Sequence, residues 1–197
     1  ETGSEEVPTG SPWYDGRDPY RRGPDLERAR ELMRRSGLRD VRITFSAWTA
    51  APYPAKVGEV MREQLKQIGV ELEVRRVEIS VWLEELFAKK YELTIGFNER
   101  TIDPDNFYSL ILRSGSAQNV TGYENREFDR LIDRARAEQD EARRRELYAQ
   151  ARQRVFADVP VLFVHYDTMH YLMRSEIGGS EVRPNLELGL QYVGSLQ

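Results

Sequence analysis

The chain has 197 residues and a net charge of −4, with 40% hydrophobic and 31% charged residues. A chain of this length suits one domain and buries roughly 70% of the surface that the unfolded chain exposes. The net charge excludes a general attraction to nucleic acid or to anionic membranes. Without cysteine, the chain forms neither disulfides nor thiolate nucleophiles. No apolar run approaches the length of a membrane span.

Residues 1–24 are rich in Gly and Pro and show no hydrophobic periodicity. This composition predicts a linker or loop. Its aromatic residues Trp13, Tyr14 and Tyr20 indicate that it lies against another part of the protein.

A strand–helix–strand unit is predicted next. Asp25 is suited to cap a first helix, which Gly37 ends. Apolar and polar residues alternate over 41–47 and again over 70–74, and an amphipathic helix ending at Gly69 separates the two strands. Such a unit is almost always a right-handed crossover between parallel strands.

A short helix is predicted after the second strand, with Ser80 as its cap and apolar pairs that include Trp82 and Leu86. The next stretch, YELTIGFN at residues 91–98, alternates between apolar and polar positions. That period predicts the central β-strand of the sheet.

The loop at residues 99–102 leads into another helix start. Asp103 can cap this helix, Pro104 fits the first helical position, and Asp105 favours the positive end of the helix dipole. Open α/β sheets bind ligands at the carboxyl ends of their strands, where this loop lies. By itself, the pattern is equally that of an ordinary βα turn.

The second half of the chain contains two further amphipathic helices and two further strands. We predict helices around Phe128–Ala135 and Leu147–Val155, a strand covered on both faces at Val161–Val164, a strand at 168–173, and an irregular tail beyond Gly178.

Carboxylates near the loop could support acid–base hydrolysis, with Glu99, Asp103 and Asp105 as the nearest candidates. Glycosidases need two carboxylates that face one bond. Asp103 and Asp105 already have roles at a helix start, and the chain has no G-x-S-x-G or phosphate-loop motif. We therefore expect a protein that is not an enzyme.

No cofactor, metal or nucleic-acid partner is expected. The two histidines, His165 and His170, are five residues apart on predicted strands and would face opposite sides. The arginines from Arg134 to Arg154 are interleaved with acidic residues at helical spacings. This pattern predicts a solvated face with ion pairs rather than a nucleic-acid stripe.

Several segments, taken in order, resemble one family. These are PDLERARELMRRSG, VMREQLKQIGVELEVRRVE, DPDNF after a strand ending in an aromatic residue, and the stretch from NVTGYEN to VPVLFVHY. The set is similar to the C-terminal lobe of peptide/nickel-type extracellular solute-binding proteins of ABC importers. The similarity runs from about Pro24 to Gly179.

The resemblance implies an α/β fold of the type II periplasmic-binding-protein kind. We expect a single lobe with a mixed, mostly parallel sheet flanked by helices. Residues 1–24 would be a linker from a missing N-terminal lobe, 25–179 the solute-binding lobe, and 180–197 a C-terminal tail.

The implied partners are a peptide or other small-molecule ligand, the missing N-terminal lobe, and the membrane subunits of an ABC importer acting through the parent protein. The implied location is periplasmic or extracellular, with or without a membrane tether. Two lobes would close on the ligand by hinge motion.

The ligand-binding residues expected from the strand ends and the resemblance are Trp48, Phe97, Asn98, Glu99, Arg100 and Asn119. Family members often carry tryptophan at the position of Phe97. Peptide-binding relatives place an aspartate, which pairs with the peptide's amino terminus, where this chain has Arg100. A guanidinium there would favour a carboxylate or phosphate instead. Arg100 could equally pair with the neighbouring acids.

Two other functions remain open from the sequence. The same fold serves as the ligand-sensing domain of transcription regulators, and the lobe alone could be a structural or engineered scaffold without ligand. A ligand screen separates the scaffold from a binding protein.

Overall fold

The computed structural model describes residues 3, 5–17, 22–97, 103–166, 170–182, 188–189 and 193–195. The chain forms two compact units. The first contains Glu1–Pro19, Asn98–Asn119 and Tyr123–Gln197, and the second contains Tyr20–Phe97 and Val120–Gly122. This division differs from the expected boundaries at residues 24 and 179, which remain a prediction.

The second unit is built on a three-stranded parallel sheet. Its elements are α1 (Leu26–Ser36), β1 (Val41–Trp48), α2 (Tyr53–Lys66), β2 (Val70–Val77), α3 (Ile79–Phe87) and β3 (Leu93–Thr94). The strand order is β2-β1-β3, and β1 is parallel to both neighbours. The predicted parallel strand–helix–strand unit is therefore confirmed.

Local signals account for the ends of α1. The Asp25 carboxylate accepts a hydrogen bond from the backbone N–H of Arg28, and Gly37 ends the helix with a φ of 71°. A side chain would be strained in this left-handed conformation, which glycine adopts freely. Both predictions for this helix are confirmed.

Helix α2 approaches the sheet closely at Gly58. A Cβ atom on Gly58 would lie 2.8 Å from Cδ1 of Phe45 and 3.0 Å from Cγ1 of Val74. The absence of a side chain here allows the helix to cover a core formed by Phe45, Ala47, Leu72 and Ile95.

Two predictions for the second unit are wrong in detail. The strand expected over 91–98 pairs only at Leu93–Thr94 and lies at an edge of the described sheet, whose centre is β1. Ser80 does not cap α3, because the helix already begins at Ile79 and Glu78 occupies the N-cap position. Alternation predicts which residues face the core, but it does not determine how far a strand pairs.

The first unit is helical at its centre. Its helices are α4 (Pro104–Phe107), which continues into a π-helical turn (Tyr108–Leu112), α5 (Arg126–Ala137) and α6 (Glu141–Asp158). Asp103 caps α4 by accepting from the N–H of Asp105, as predicted. Large side chains of all four segments pack into one core that includes Phe107, Tyr108, Phe128, Ile132 and Tyr148.

The C-terminal part of this unit differs from the sequence prediction. Residues Val161–Val164 do not form a strand; Leu162 and Val164 are exposed, while Val161 and Phe163 pack on the core. No strand forms over 170–173, and 168–169 lie outside the described residues.

The tail was expected to be irregular, yet it forms two short antiparallel pairs. These are β4 (Ile177–Gly178) with β7 (Gly194–Ser195), and β5 (Glu181–Val182) with β6 (Leu188–Gly189).

The N-terminal stretch has no helix or strand among its described residues, and part of it is buried; its role as a linker stays a prediction. Glu5, Glu6 and Val7 are buried, and Trp13 packs against the core of the first unit. In the part of the chain that the structure describes, no helix is long and apolar enough to cross a membrane.

Candidate functional site

The carboxyl ends of the parallel strands lie at one edge of the sheet in the second unit. Trp48, the last residue of β1, is in register with Val77, the last residue of β2, and Ser46 is in register with Thr94 of β3. Parallel pairing therefore places the residues that follow these strands at the same edge, where α/β sheets bind ligands.

Trp48 is held in one orientation by its neighbours. Only 6% of the residue is exposed, and its indole N–H donates to the carbonyl oxygen of Ile95 at 3.1 Å. Its ring meets Tyr53 edge-on at 5.1 Å between centroids and lies 6.0 Å from Trp82. Such aromatic pairs add to the free energy gained by burial, and together with the hydrogen bond they hold the Trp48 ring in a fixed position.

A second tryptophan, Trp82, helps to connect β3 to β1 through hydrogen bonds. The indole N–H of Trp82 donates to the Thr94 hydroxyl at 2.7 Å, and that hydroxyl donates to the carbonyl oxygen of Ser46 at 2.7 Å. These bonds connect α3, β3 and β1, and they compensate for the shortness of β3.

Phe97 contacts Trp48 but remains largely open. The two ring centroids are 6.0 Å apart at an interplanar angle of 74°, and 63% of Phe97 is exposed. A large exposed aromatic ring beside a buried one offers an apolar surface to a ligand. The structure thus brings two of the predicted site residues together.

A cavity of about 470 Å³ opens beside Trp48. Its other lining residues come from the β1–α2 loop, from α2 and from the end of β2: Thr49, Ala50, Ala51, Pro52, Ala55, Lys56, Glu59 and Arg76. The cavity therefore combines a mostly apolar lining with a few charged side chains, as small-molecule sites commonly do.

The charges in the cavity favour an anionic group. Glu59 pairs with Arg62 at 2.5 Å. Among the described residues, neither Lys56 nor Arg76 has a carboxylate within ion-pair distance. Neighbouring Arg75 is different, since it contacts Glu85 at 2.5 Å and the Ser46 hydroxyl at 3.0 Å. The hydrogen bond with Glu85 raises the pKa of Arg75.

Lys56, Glu59 and Arg76 were missed in the sequence analysis. The signal for Arg76 was present, because two parallel strands of equal length bring its position next to that of Ala47. Lys56 lies in the first turn of the helix that follows β1, which also starts at this edge.

Three expected site residues, Asn98, Glu99 and Arg100, lie outside the described residues, so their roles remain predictions. Asn119 belongs to the first unit and is 4% exposed. Its amide nitrogen donates to the carbonyl oxygen of Tyr123 at 2.8 Å and also reaches those of Leu112 and Arg113. These bonds give Asn119 a structural role, and contact with a ligand stays a prediction.

The carboxylates at the start of α4 have structural partners. Arg144 donates to both carboxylate oxygens of Asp103, at 2.9 and 3.0 Å. Asp105 accepts from the Ser109 hydroxyl and pairs with Arg136 at 3.4 Å. Among the described residues, no three His, Cys, Asp or Glu side chains gather as a metal site.

Comparison with known proteins identifies the family. The bacterial extracellular solute-binding proteins, family 5 (middle), match residues 2–119. The chain belongs to this family. The resemblance drawn from the sequence is thereby confirmed.

Relatives and solved structures extend the match. Di/tripeptide-binding protein 4 of Pseudomonas aeruginosa is 28% identical over 168 residues, covering 81% of this chain and 32% of the relative. Dipeptide-binding protein DppE of Bacillus subtilis is 27% identical over 180 residues, covering 84% of this chain and 32% of the relative. The chain thus spans about a third of the length of these relatives.

The fold agrees as well. A Pseudoalteromonas dipeptide-binding protein, solved in complex with Met-Leu, superposes with a TM-score of 0.78 at 21% identity, covering 98% of this chain and 40% of that protein. The predicted α/β fold of the type II periplasmic-binding-protein kind is confirmed.

Proposed function

We propose that this chain contributes one wall of a peptide-binding cleft in a solute-binding protein that serves an ABC importer. The observation that carries the proposal is the cavity at the carboxyl ends of β1 and β2, with Trp48 as its floor and Lys56 and Arg76 on its walls. Relatives named as dipeptide- and tripeptide-binding proteins support the ligand class. The parent protein would act outside the cytoplasm, and the match to a family of extracellular proteins supports this location.

The ligand end received here is an anionic one. Among the described residues, Lys56 and Arg76 form no ion pair, and Glu59, the acid that lines the same cavity, pairs with Arg62 instead. A guanidinium binds a carboxylate with two parallel hydrogen bonds, which gives direction as well as affinity. Arg100 would add to this preference. The exposed ring of Phe97 would pack on an apolar side chain of the ligand.

Binding by this chain alone is expected to be weak, because a second wall would complete the cleft. Loss of ~4 kcal/mol of contacts lowers affinity roughly a thousandfold, so a micromolar ligand of the parent protein would bind at millimolar concentration. NMR is suited to this range. The indole N–H signals of Trp48 and Trp82 report on the site, and that of Trp13 serves as an internal reference in the other unit.

The test compares a dipeptide with a free carboxyl terminus and the same dipeptide amidated there. We expect the free acid to shift the Trp48 signal and the amide to bind at least tenfold more weakly. The substitution Arg76→Gln should remove this difference. Arg42→Gln, at the opposite ends of the strands, should preserve it, because Arg42 pairs with Glu71 far from the cavity.

Several outcomes would overturn the proposal. If neither peptide shifts the Trp48 signal at millimolar concentration, the chain is a scaffold without ligand under these conditions. Equal binding of acid and amide would contradict the proposed preference for an anionic ligand group.

Arg100 is tested by the substitution Arg100→Asp in a protein that contains both lobes. We expect this variant to prefer amine-terminated ligands over anionic ones, with an unchanged melting temperature. A fall in stability alone would make Arg100 a structural ion-pair partner.

A further inference from the structure

Residues 5–15, here called the N-terminal strap, are fastened to α6 in the first unit. Trp13 meets Tyr148 edge-on, with centroids 5.9 Å apart, and the Arg144 guanidinium lies 4.9 Å from the Trp13 ring. Arg145 donates a hydrogen bond to the carbonyl oxygen of Pro12. Val7 is fully buried.

The centre of this attachment is a buried arginine. Only 2% of the Arg152 side chain is exposed. Its Nε and Nη2 donate to the two carboxylate oxygens of Glu6, at 3.1 and 2.6 Å, and its Nη1 lies 2.7 Å from Oδ2 of Asp15. The Tyr108 hydroxyl also donates to Glu6, at 2.7 Å.

Burial lowers the pKa of Arg152, but the hydrogen bond to Glu6 and the nearby negative charges outweigh it and raise the pKa overall. Arg152 therefore stays charged, and Glu6 and Asp15 occupy its donors.

Glu5 is a carboxylate of this cluster that receives no hydrogen bond from Arg152. It is 1% exposed, and Oε2 lies 3.0 Å from Nε of Arg152, whose hydrogen bond goes to Glu6 instead. Among the described residues, neither Glu5 carboxylate oxygen accepts a hydrogen bond. The Glu5 backbone is held on both sides by the Tyr166 hydroxyl, which accepts from its N–H and donates to its carbonyl.

The charge balance makes an ionised Glu5 unfavourable. The groups around it are Arg152 from α6, Tyr108 from the π-helical turn, Tyr166, and Glu6 and Asp15 from the strap itself. Three carboxylates thus share one guanidinium. A buried carboxylate without donors is costly when charged and much less costly when it holds a proton.

We propose that the N-terminal strap is a proton-sensitive latch, held against α6 while Glu5 carries a proton and loosened when Glu5 ionises.

The direction of the pH effect on latching follows from the pKa of Glu5 in the latched and in the released state of the strap. Burial, as the largest effect, raises the pKa of Glu5 from 4.5 to about 7; Arg152 opposes the rise, and the charges of Glu6 and Asp15 add to it. The backbone of Asp15 has the smallest effect and lowers the pKa.

The latched state therefore binds the proton more tightly than the released state. The contribution of Glu5 to latching is fully present below about pH 4.5, falls by up to about tenfold per pH unit between about pH 4.5 and pH 7, and is lost above that. The total change is a few hundredfold.

Hydrogen exchange of the strap measures latching directly, because protection of an amide reports the equilibrium between closed and open states. We expect the protection factors of residues 5–15, corrected for intrinsic exchange, to fall roughly fortyfold in total from pH 5 to pH 7. Those of α5 should stay constant. In Glu5→Gln, the strap should show no such fall.

Glu127→Gln is the matched control, since Glu127 is an exposed acid that pairs with Arg154 of α6. It should behave as the wild type does. Flat protection in the wild type, or the same fall in Glu5→Gln, would overturn the proposal. A fall that disappears in His165→Asn instead would assign the effect to that imidazole.

A second measurement covers the case in which Glu5→Gln does not fold. The ¹³C signal of the Glu5 carboxyl group can be followed in the wild-type chain. Titration near pH 7 supports the latch, whereas titration near pH 4.5 shows that Glu5 is charged in the folded protein and contradicts it.

Discussion

Two arginines on α6, two positions apart, have opposite surroundings. The Arg152 side chain is 2% exposed and contacts three carboxylates, whereas Arg154 is 44% exposed and pairs with Glu127. The sequence analysis placed both on a solvated face. That prediction was correct for Arg154 and wrong for Arg152, because the acids that bury Arg152 come from the distant N-terminal strap.

Their different surroundings predict different costs of substitution. Arg152→Met should lower the free energy of unfolding by about 3–5 kcal/mol, because it leaves buried carboxylates without a counterion. Arg154→Met should change it by less than about 1 kcal/mol, as for other exposed pairs. Urea denaturation at pH 7 measures both. Equal losses would show that Arg152 is not the centre of a buried network.

At the scale of elements, packing decided what periodicity left open. The alternation at residues 91–98 is real, yet β3 pairs over only two residues and depends on the Trp82–Thr94–Ser46 hydrogen bonds. The apolar run at 161–164 forms no strand in the described chain. The helix ends at Asp25, Gly37 and Asp103 were predicted correctly, because capping is local, whereas the cap expected at Ser80 was wrong.

Gly58 provides a test of how closely α2 packs on the sheet. Alanine normally stabilises a helix interior by about 1 kcal/mol relative to glycine. Here, its Cβ would overlap Phe45 and Val74. We therefore expect Gly58→Ala to destabilise the chain by about 1–3 kcal/mol, as overpacking does.

Val60→Ala, at a position that is 57% exposed on the same helix, should change stability by about 0.5 kcal/mol or less. Thermal unfolding followed by circular dichroism compares the two. A stabilised Gly58→Ala protein would mean that the helix can move away from the sheet at no cost.

At the scale of the whole molecule, the chain starts in the first unit, crosses to the second and returns. The strap and α6 are thus joined by contacts between residues 146 positions apart. Residues 22–25 are exposed and have no helix or strand. Cleavage of the backbone there would cut the connection without removing these contacts.

We expect trypsin to cut after Arg22 and the fragment 1–22 to remain bound to the rest of the chain at pH 6. Size-exclusion chromatography followed by mass spectrometry would detect both pieces in one peak. In Arg152→Met, the fragment should separate, because the strap loses its central contact. Separation in the wild type would show that the strap is held only by chain connectivity.

The sequence by itself determined the local features and the family. Asp25, Gly37 and Asp103 act within a few residues of their own positions, and ordered motifs over most of the chain identified a solute-binding protein. Trp48 and Phe97 were expected at one edge of the sheet and do lie together, while their contact with a ligand stays a prediction.

Only the tertiary structure decided how far β3 pairs, that Lys56 and Arg76 line a cavity with Trp48, and that Glu5 lies buried beside Arg152. These features depend on contacts between segments far apart in the chain. Periodicity and capping cannot report such contacts, because both involve residues close together in the sequence. Strand pairing and the burial of a charge depend on segments that are distant in the sequence.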